Sequence, residues 1–315
     1  MRGTRASAGS VSAVRPKRAY DRAVPRALNA IVHAVSAVLA ACAIACGRTE
    51  PDPRGANAHG GSGAPHAGGI VSLSPALTHT AQALGAGDRI VGRTAWCDAP
   101  AARIVGSLED RDLEAIVALR PALVLRQSSV PDPALEAAVR SMGARLVEVR
   151  AIDRVRDVED AAASVADALE SMGVAGARAR AAEATAAYHL ATASPVACTR
   201  PVAFLYSTDP PAAFGAGTFV DDAWRSMGGR NAVTAQGYPT MSAEDLVRLA
   251  PAAIVIVVPK ATSVPDWVRT VAPAVAMAES TALLEPSLRM LERAPAALRA
   301  VDAELVAQGA GGGAP

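Results

Sequence analysis

The amino-acid sequence predicts an α/β protein with two similar lobes, each built on a mainly parallel sheet, joined by one long helix. Three observations support this fold class. Short apolar strands alternate with amphipathic helices, which is typical of parallel sheets with helical crossovers. One helix–strand unit occurs twice, once in each half of the chain. A long helical segment with almost no strand signal separates the two halves.

The chain begins with a segment that predicts export. Seven basic residues lie within the first 26, and an uncharged, mostly apolar run follows from Ala27 to Cys46. A basic region before an apolar stretch is the pattern of a secretory signal. Leu39–Cys42 resembles a bacterial lipobox, with Cys42 as the lipidated residue and Cys46 as the weaker alternative. A transmembrane anchor is the other interpretation, and both tether the exported body to a membrane.

Changes of composition predict the domain boundaries. Gly, Pro, Ala, Asp and His dominate the stretch after the leader, which indicates a flexible tether. The predicted segments are a signal or lipoprotein leader at 1–46, a flexible tether at 47–68, an N-terminal lobe at 69–157, a linking helical segment at 158–195, a C-terminal lobe at 196–307 and a disordered tail at 308–315.

The first lobe opens with a short apolar strand, Ile70–Leu73. Ser74 and Pro75 then predict the N-cap and the first residue of a helix that ends before Gly85. In the linking segment, Ala177–Thr192 predicts a helix of about four turns, long enough to connect two lobes.

A repeated unit is the most informative feature of the body. Asp112–Leu125 and Ser242–Val255 each begin with a capping residue, followed two positions later by a glutamate, Glu114 or Glu244. Each unit continues with a short amphipathic helix, a proline that ends it and an apolar strand. Two such units far apart indicate two similar lobes rather than one continuous sheet.

Charge and motifs limit the function classes. Residues 1–41 hold seven of the 31 basic and one of the 30 acidic residues, so the remainder has 24 basic and 29 acidic residues, a net charge of −5. A mildly acidic body argues against nucleic-acid binding, which needs a basic face. The first strand runs into Ser74-Pro75 rather than G-x-G-x-x-G, and no P-loop, G-x-S-x-G or H-E-x-x-H motif occurs, so an enzyme is not favoured.

The four cysteines predict neither a disulfide framework nor a zinc cluster, because two lie in the leader and two are far apart in the body. We therefore expect Cys97 and Cys198 to be unpaired. We also expect no bound metal and no cofactor.

Residues 69 to about 300 resemble the iron-siderophore, haem and vitamin B12 group of periplasmic binding proteins, with the closest likeness to its cobalamin-binding members. The matching stretches, in family order, are IVSLSPALTHTAQALGAGDRIVG, AWCDAP, DLEAIVALRPALVL, DPPAAFGAGTFVDDAWRSMGGRN and YPTMSAEDLVRLAPAAIVIV. The resemblance implies a ligand held between two lobes with modest closure. It also implies docking onto a two-fold symmetric ABC permease through Glu114 and Glu244. A glutamate in a first helical turn is, alternatively, favoured simply by the positive helix end.

The ligand residues follow from the family pattern and from the rule that open α/β sheets bind ligands beyond the carboxyl ends of their strands. Flat aromatic faces suit a corrin or porphyrin ring, although Phe214 fits a core position equally well. His79 stands where the family commonly has glutamate, and a lone histidine there is more often a surface or core residue than a haem ligand. The residues expected to face the ligand are Trp96, Arg126, Gln127, Phe214, Tyr238 and Glu279.

A corrinoid is the first expected ligand, because the aromatic positions resemble those of the B12-binding members. A ferric siderophore is the alternative, with Arg93, Arg111 and Arg126 meeting an anionic chelate. Haem comes third, since no axial tyrosine or histidine stands at Trp96. A lipoprotein that senses or stores its ligand and an α/β enzyme are the readings from other classes. We expect a monomer, exported to the periplasm or cell surface and lipid-anchored there.

Overall fold

The computed structural model describes residues 68–107 and 110–311, so the predicted leader with Cys42 and Cys46 and nearly all of the predicted tether lie outside the described residues. The strands are β1 Ile70–Ser72, β2 Ile90–Arg93, β3 Arg103–Ile104, β4 Leu123–Gln127, β5 Arg145–Val149, β6 Pro201–Thr208, β7 Pro211–Ala213, β8 Arg230–Asn231, β9 Ala253–Val258 and β10 Ala274–Glu279. The helices are α1 Pro75–Ala83, α2 Leu113–Leu119, α3 Pro133–Ser141, α4 Val155–Ser171, α5 Ala177–Thr192, α6 Phe219–Ser226, α7 Ala243–Leu249, α8 Asp266–Val271 and α9 Leu288–Ala307.

Two five-stranded sheets form the two lobes and confirm the predicted fold class. The N lobe, with β1–β5 and α1–α3, has an all-parallel sheet in the order β3-β2-β1-β4-β5. The C lobe, with β6–β10 and α6–α8, has the order β10-β9-β6-β7, and β8 also pairs with β6. Only β7 runs antiparallel to its neighbour. The first strand of each lobe, β1 or β6, is therefore an inner strand with later strands of the same lobe on both sides.

The repeated unit folds the same way in both lobes. The Asp112 carboxylate accepts the backbone N–H of Ala115 at the start of α2, and the Ser242 hydroxyl accepts that of Asp245 at the start of α7. Both helices then end on a left-handed residue, Arg120 with φ 44° and Ala250 with φ 47°. A left-handed non-glycine residue is uncommon, and here it turns the chain into the proline that precedes β4 or β9.

The segment predicted to link the lobes contains α4 and α5, separated by a break at Gly173 and Gly176. Both glycines have positive φ, 77° and 75°, which glycine adopts without a steric penalty. Helix α4 packs on α1 and α5, and α5 packs on α9. One hydrophobic cluster runs through these helices from Leu77 in the N lobe to Phe204 in the C lobe. A core shared in this way limits the movement of one lobe against the other.

The last described residues pack on the C lobe. The Gln308 side chain bonds both backbone polar groups of Val275, and Ala310 is 2% exposed. Within residues 308–311, the described part of the predicted tail, Gln308 and Ala310 therefore pack on the lobe. Cys97 and Cys198 are free and buried. No helix in the described residues is both long and apolar enough to span a bilayer.

Candidate functional site

The N-lobe edge of the site is built where β1 and β4 end. Ser74 caps α1, and its hydroxyl donates to the amide oxygen of Gln127 at 2.9 Å. This bond ties the loop after β4 to the start of α1. Gln127 is half-buried and is the last residue of β4, so it lies at the carboxyl end of that strand.

Arg126 does not face the open edge of this sheet. Its side chain is 3% exposed, its guanidinium pairs with Glu148, and Nη2 donates to the Val130 carbonyl at 2.6 Å. Arg126 and Glu148 are direct partners in the β4–β5 ladder. Arg126 thus joins two strands and the following loop, an arrangement that favours a structural role, and its contact with the ligand stays a prediction.

Trp96 is displayed on a loop after β2. Its side chain is 37% exposed, whereas the backbone of the loop around it is held by hydrogen bonds from the Arg93 side chain. Arg93 Nη1 donates to the carbonyls of Thr94 and Cys97 at 3.0 and 3.2 Å, and Thr94 Oγ1 lies 3.1 Å from Cys97 Sγ. Burial raises the pKa of the Cys97 thiol, so the sulfur acts as a neutral packing group. Arg93 thus shapes the loop that presents the indole.

A cluster of aromatic rings forms the C-lobe side. Phe214 is fully buried, with its ring centroid 5.2 Å from that of Tyr206, 5.7 Å from Phe219 and 6.0 Å from Tyr238. Edge-to-face contacts at these distances stabilise such clusters. Tyr206 and Tyr238 are half-buried. Phe214 is consequently a core residue that supports the two tyrosines, as the core alternative expected, and its contact with the ligand stays a prediction.

The two tyrosines differ from ordinary surface phenols. Burial raises the pKa of Tyr206. Burial also raises the pKa of Tyr238, and the nearby Asp153 carboxylate adds to that shift. Both phenols therefore stay neutral at physiological pH. Sequence reasoning missed Tyr206 and Asp153, although Tyr206 lies two residues before the end of β6, where the strand-end rule directs attention.

Glu279 lies apart from the tyrosine cluster. It is the last residue of β10 and is exposed. Strand β10 is the outer strand of its sheet, with β9 between it and β6. The structure therefore places Glu279 on the predicted edge but two strands away from Tyr206.

A polar network connects the Trp96 loop to the C-terminal part of the chain. His79 Nδ1 lies 2.5 Å from Glu285 Oε1, and its Nε2 lies 3.9 Å from Asp98 Oδ2. The Gln82 amide also donates to the Asp98 carbonyl at 2.5 Å. His79 is thus a half-buried bridging residue between the first helix and the segment that precedes α9.

Glu114 and Glu244 are exposed at equivalent positions of α2 and α7. Among the described residues neither has an ion-pair partner. In the same part of the chain, no group of three or more His, Cys, Asp or Glu side chains is arranged to hold a metal ion.

Comparison with known proteins identifies the class. The family described as "Periplasmic binding protein" matches residues 70–275, well over half of the chain. The chain therefore belongs to this family of ABC-importer solute-binding proteins, whose members are exported, bind small-molecule ligands and work with permeases rather than acting as enzymes. No curated protein sequence matches the chain.

Solved structures share the fold at low identity. The periplasmic heme-binding protein RhuT from Roseiflexus sp. RS-1 is 21% identical, with a TM-score of 0.57 over 76% of this chain and 98% of that one. The vitamin B12 binding protein BtuF of Vibrio cholerae is 19% identical, with a TM-score of 0.59 over 76% and 97%. The molybdate-binding protein MolA of Haemophilus influenzae is 16% identical, with a TM-score of 0.58 over 76% and 86%. One fold thus serves three chemically different ligands.

Proposed function

We propose that this solute-binding protein captures a corrinoid, a vitamin B12-like ring, between its lobes and delivers it to the permease of an ABC importer. The observation that carries the proposal is an aromatic side chain at the ligand edge of each lobe. Trp96 follows β2 in the N lobe, and Tyr238 contacts Tyr206 near the end of β6 in the C lobe. Aromatic faces bind a large flat ring by stacking and apolar burial.

Charge argues for a corrinoid over an anionic iron chelate. The three arginines expected to meet such a chelate are all engaged inside the N lobe. Arg93 bonds loop carbonyls, Arg111 pairs with Asp132, and Arg126 pairs with Glu148. These contacts hold the three guanidinium groups within the N lobe, so a ferric siderophore is the weaker candidate.

Haem is the second candidate, because a tyrosine can be an axial ligand to its iron. Tyr206 and Tyr238 lie at the C-lobe edge and are the phenols available for this role. Burial raises the pKa of both side chains, and that opposes formation of the phenolate that ferric iron prefers. The same burial does not weaken ring stacking, so a corrinoid remains the first candidate.

Anchoring and docking complete the proposal. We propose that the mature protein is a monomer anchored through a lipid on Cys42, or on Cys46 instead, with residues 47–68 as a tether. Glu114 and Glu244 contact equivalent basic sites on the two halves of a symmetric permease. Their exposure and lack of ion-pair partners among the described residues support this role, because a charge that is already paired contributes less to a partner.

Tryptophan fluorescence of the tether-free body tests the ligand. The protein is titrated with cyanocobalamin, haemin and ferric siderophores, with correction for light absorbed by each ligand. Of the three tryptophans, Trp224 is fully buried and Trp267 packs in the outer core of the C lobe. We expect saturable quenching by cyanocobalamin, and a loss of affinity of about tenfold or more in Trp96→Ala, as for an aromatic binding hot spot.

Trp267→Phe is the matched control, because Trp267 packs against the outer core of the C lobe and is not in the aromatic cluster of Tyr206, Phe214 and Tyr238. It should lower the signal and leave the affinity unchanged. Calorimetric titration of the same variants gives a readout free of optical artefacts. Saturable binding of haemin or of a siderophore alone would replace the corrinoid assignment. Binding of none of them would overturn the ligand proposal.

A further inference from the structure

Exposed apolar side chains recur at equivalent positions of the two lobes. In the described part of the chain six large apolar side chains are exposed: Trp96, Val117, Val130, Leu190, Val247 and Val306. Val117 on α2 and Val247 on α7 are 42% and 59% exposed. Each lies three residues after the glutamate of its repeat. Single exposed valines scattered over a surface are ordinary. Exposure of a valine at the same position of both copies of a repeated helix indicates that the two valines have the same role.

On the exposed faces of α2 and α7, only the glutamate and the valine are the same in both helices. Helix α2 reads LEAIVAL and helix α7 reads AEDLVRL. Of the three exposed positions in each helix, two are the same, Glu114 with Glu244 and Val117 with Val247, whereas Ala118 corresponds to Arg248. Residues three apart on a helix are surface neighbours. Each lobe therefore presents a carboxylate beside a branched apolar side chain.

The local charges keep the second glutamate available. Arg248 lies four residues after Glu244 and is within reach of it on the helix surface. Instead, Arg248 Nη1 bonds Asp245 Oδ1 at 2.8 Å, and the Asp245 carboxylate also accepts the backbone N–H of Ser242 at 3.0 Å. These contacts lower the pKa of Asp245, which keeps it ionised and paired. Glu244 is thus not paired with Arg248, and Glu114 has no arginine at the corresponding position, which is Ala118.

The inner faces hold the pairs in fixed positions. Ile116 and Leu246, at equivalent positions, are both fully buried and belong to the outer hydrophobic core of their own lobes. The exposed pair on each helix is therefore displayed by a helix packed on its sheet, and is not required for that packing.

We propose that Val117 and Val247 are docking residues, and that each lobe binds the permease through a two-point contact made by a glutamate and a valine. This inference rests on the proposed docking role of Glu114 and Glu244. A two-fold symmetric partner presents the same surface twice, so it selects the same contact on both lobes. The occupant is accordingly a permease that offers, on each half, a basic group beside an apolar recess.

The test measures binding of the fluorescently labelled, tether-free body to membrane vesicles from the source organism. Binding is followed by co-sedimentation and by competition with unlabelled body. We expect Val117→Ala and Val247→Ala to weaken binding by similar factors, roughly fivefold each, which is the effect of truncating an energetically significant interface side chain. The double variant should lose at least the product of the two factors. Alanine raises helix propensity, so the variants should remain folded, as circular dichroism will check.

Leu190→Ala is the matched control, since Leu190 on α5 is 79% exposed and outside both repeats. It should bind as the wild type does. Photo-crosslinkers at positions 117 and 247 should both attach to one polytopic membrane subunit, identified by mass spectrometry. Equal loss in the Leu190 variant would show a nonspecific apolar effect and overturn the inference.

Charge reversal separates the two proposals. Glu114→Lys with Glu244→Lys should abolish vesicle binding. If it does so while the valine variants bind normally, the two-point contact is wrong and glutamate docking stands. If the reversed protein binds normally, or if the wild type shows no saturable binding, glutamate docking fails and the valine inference fails with it.

Discussion

Replacement of Arg126 tests whether this arginine belongs to the fold or to the ligand. In Arg126→Met the guanidinium between β4 and β5 is replaced by an apolar chain of comparable length. The change leaves Glu148 without its cation and the Val130 carbonyl without its donor.

The magnitude follows from the burial of the two partners. Removing one member of a buried ion pair destabilises a protein by about 3–5 kcal/mol. The Glu148 side chain is 30% exposed and regains part of its hydration, so we expect a loss of about 2–3 kcal/mol in the free energy of unfolding. For a body of this size the melting temperature should fall by roughly 5–10 °C.

Urea unfolding and ligand titration are measured on the same preparations. Arg103→Met, a change at an exposed arginine on β3, is the control and should stay within about 0.5 kcal/mol of the wild type. We expect Arg126→Met to lose stability and to keep the ligand affinity of the folded protein. Normal stability together with a tenfold or greater loss of affinity would refute the structural role and return Arg126 to the ligand site.

Two further predictions concern the fold. Burial, together with the nearby carboxylates of Asp222 and Glu159, raises the pKa of Tyr188 to about 12 from 10.0. The contribution of the neutral Tyr188 phenol to stability is therefore fully present below pH 10 and is lost as the pH rises toward 12. Between pH 8 and pH 11, ionisation of this tyrosine should lower the free energy of unfolding by about 1.4 kcal/mol. Urea unfolding should show that this loss is absent in Tyr188→Phe. An identical alkaline loss in both proteins would contradict the prediction. Asp112→Ala and Ser242→Ala should each lower the free energy of unfolding by about 1 kcal/mol, as the loss of an N-cap does, and no loss in chemical denaturation would mean that these caps are not needed.

Local signals made most of the fold predictable. The Ser74-Pro75 pair marked the start of α1, and the capping residues Asp112 and Ser242 marked α2 and α7, because each signal depends on backbone chemistry within one helical turn. The same repeat predicted that Glu114 and Glu244 hold equivalent positions, and both are exposed; their docking role stays a prediction. These features required no knowledge of how distant segments meet.

The ligand edge was harder to predict because it depends on register and depth. Strand β4 is buried along nearly its whole length, so alternation along the strand gave no sign of where Arg126 points. Its partner Glu148 follows only from the pairing of β4 with β5. Phe214 is buried by contacts with Tyr206 and Tyr238, which come from separate segments of the C lobe. No sequence pattern within a single segment predicts such contacts.

The shared core has a consequence for how a permease distinguishes loaded from empty protein. One hydrophobic cluster runs from the N lobe through α4, α5 and α9 into the C lobe, so we expect the span between α2 and α7 to change little when a ligand binds. On the docking proposal, a symmetric permease would meet nearly the same two helices, α2 and α7, in both states. We therefore propose that the difference comes from the ligand edge, where His79 connects Asp98 of the Trp96 loop to Glu285. We therefore expect docking and ligand recognition to be separable in this protein: docking variants should leave ligand affinity intact, and Trp96 variants should leave docking intact.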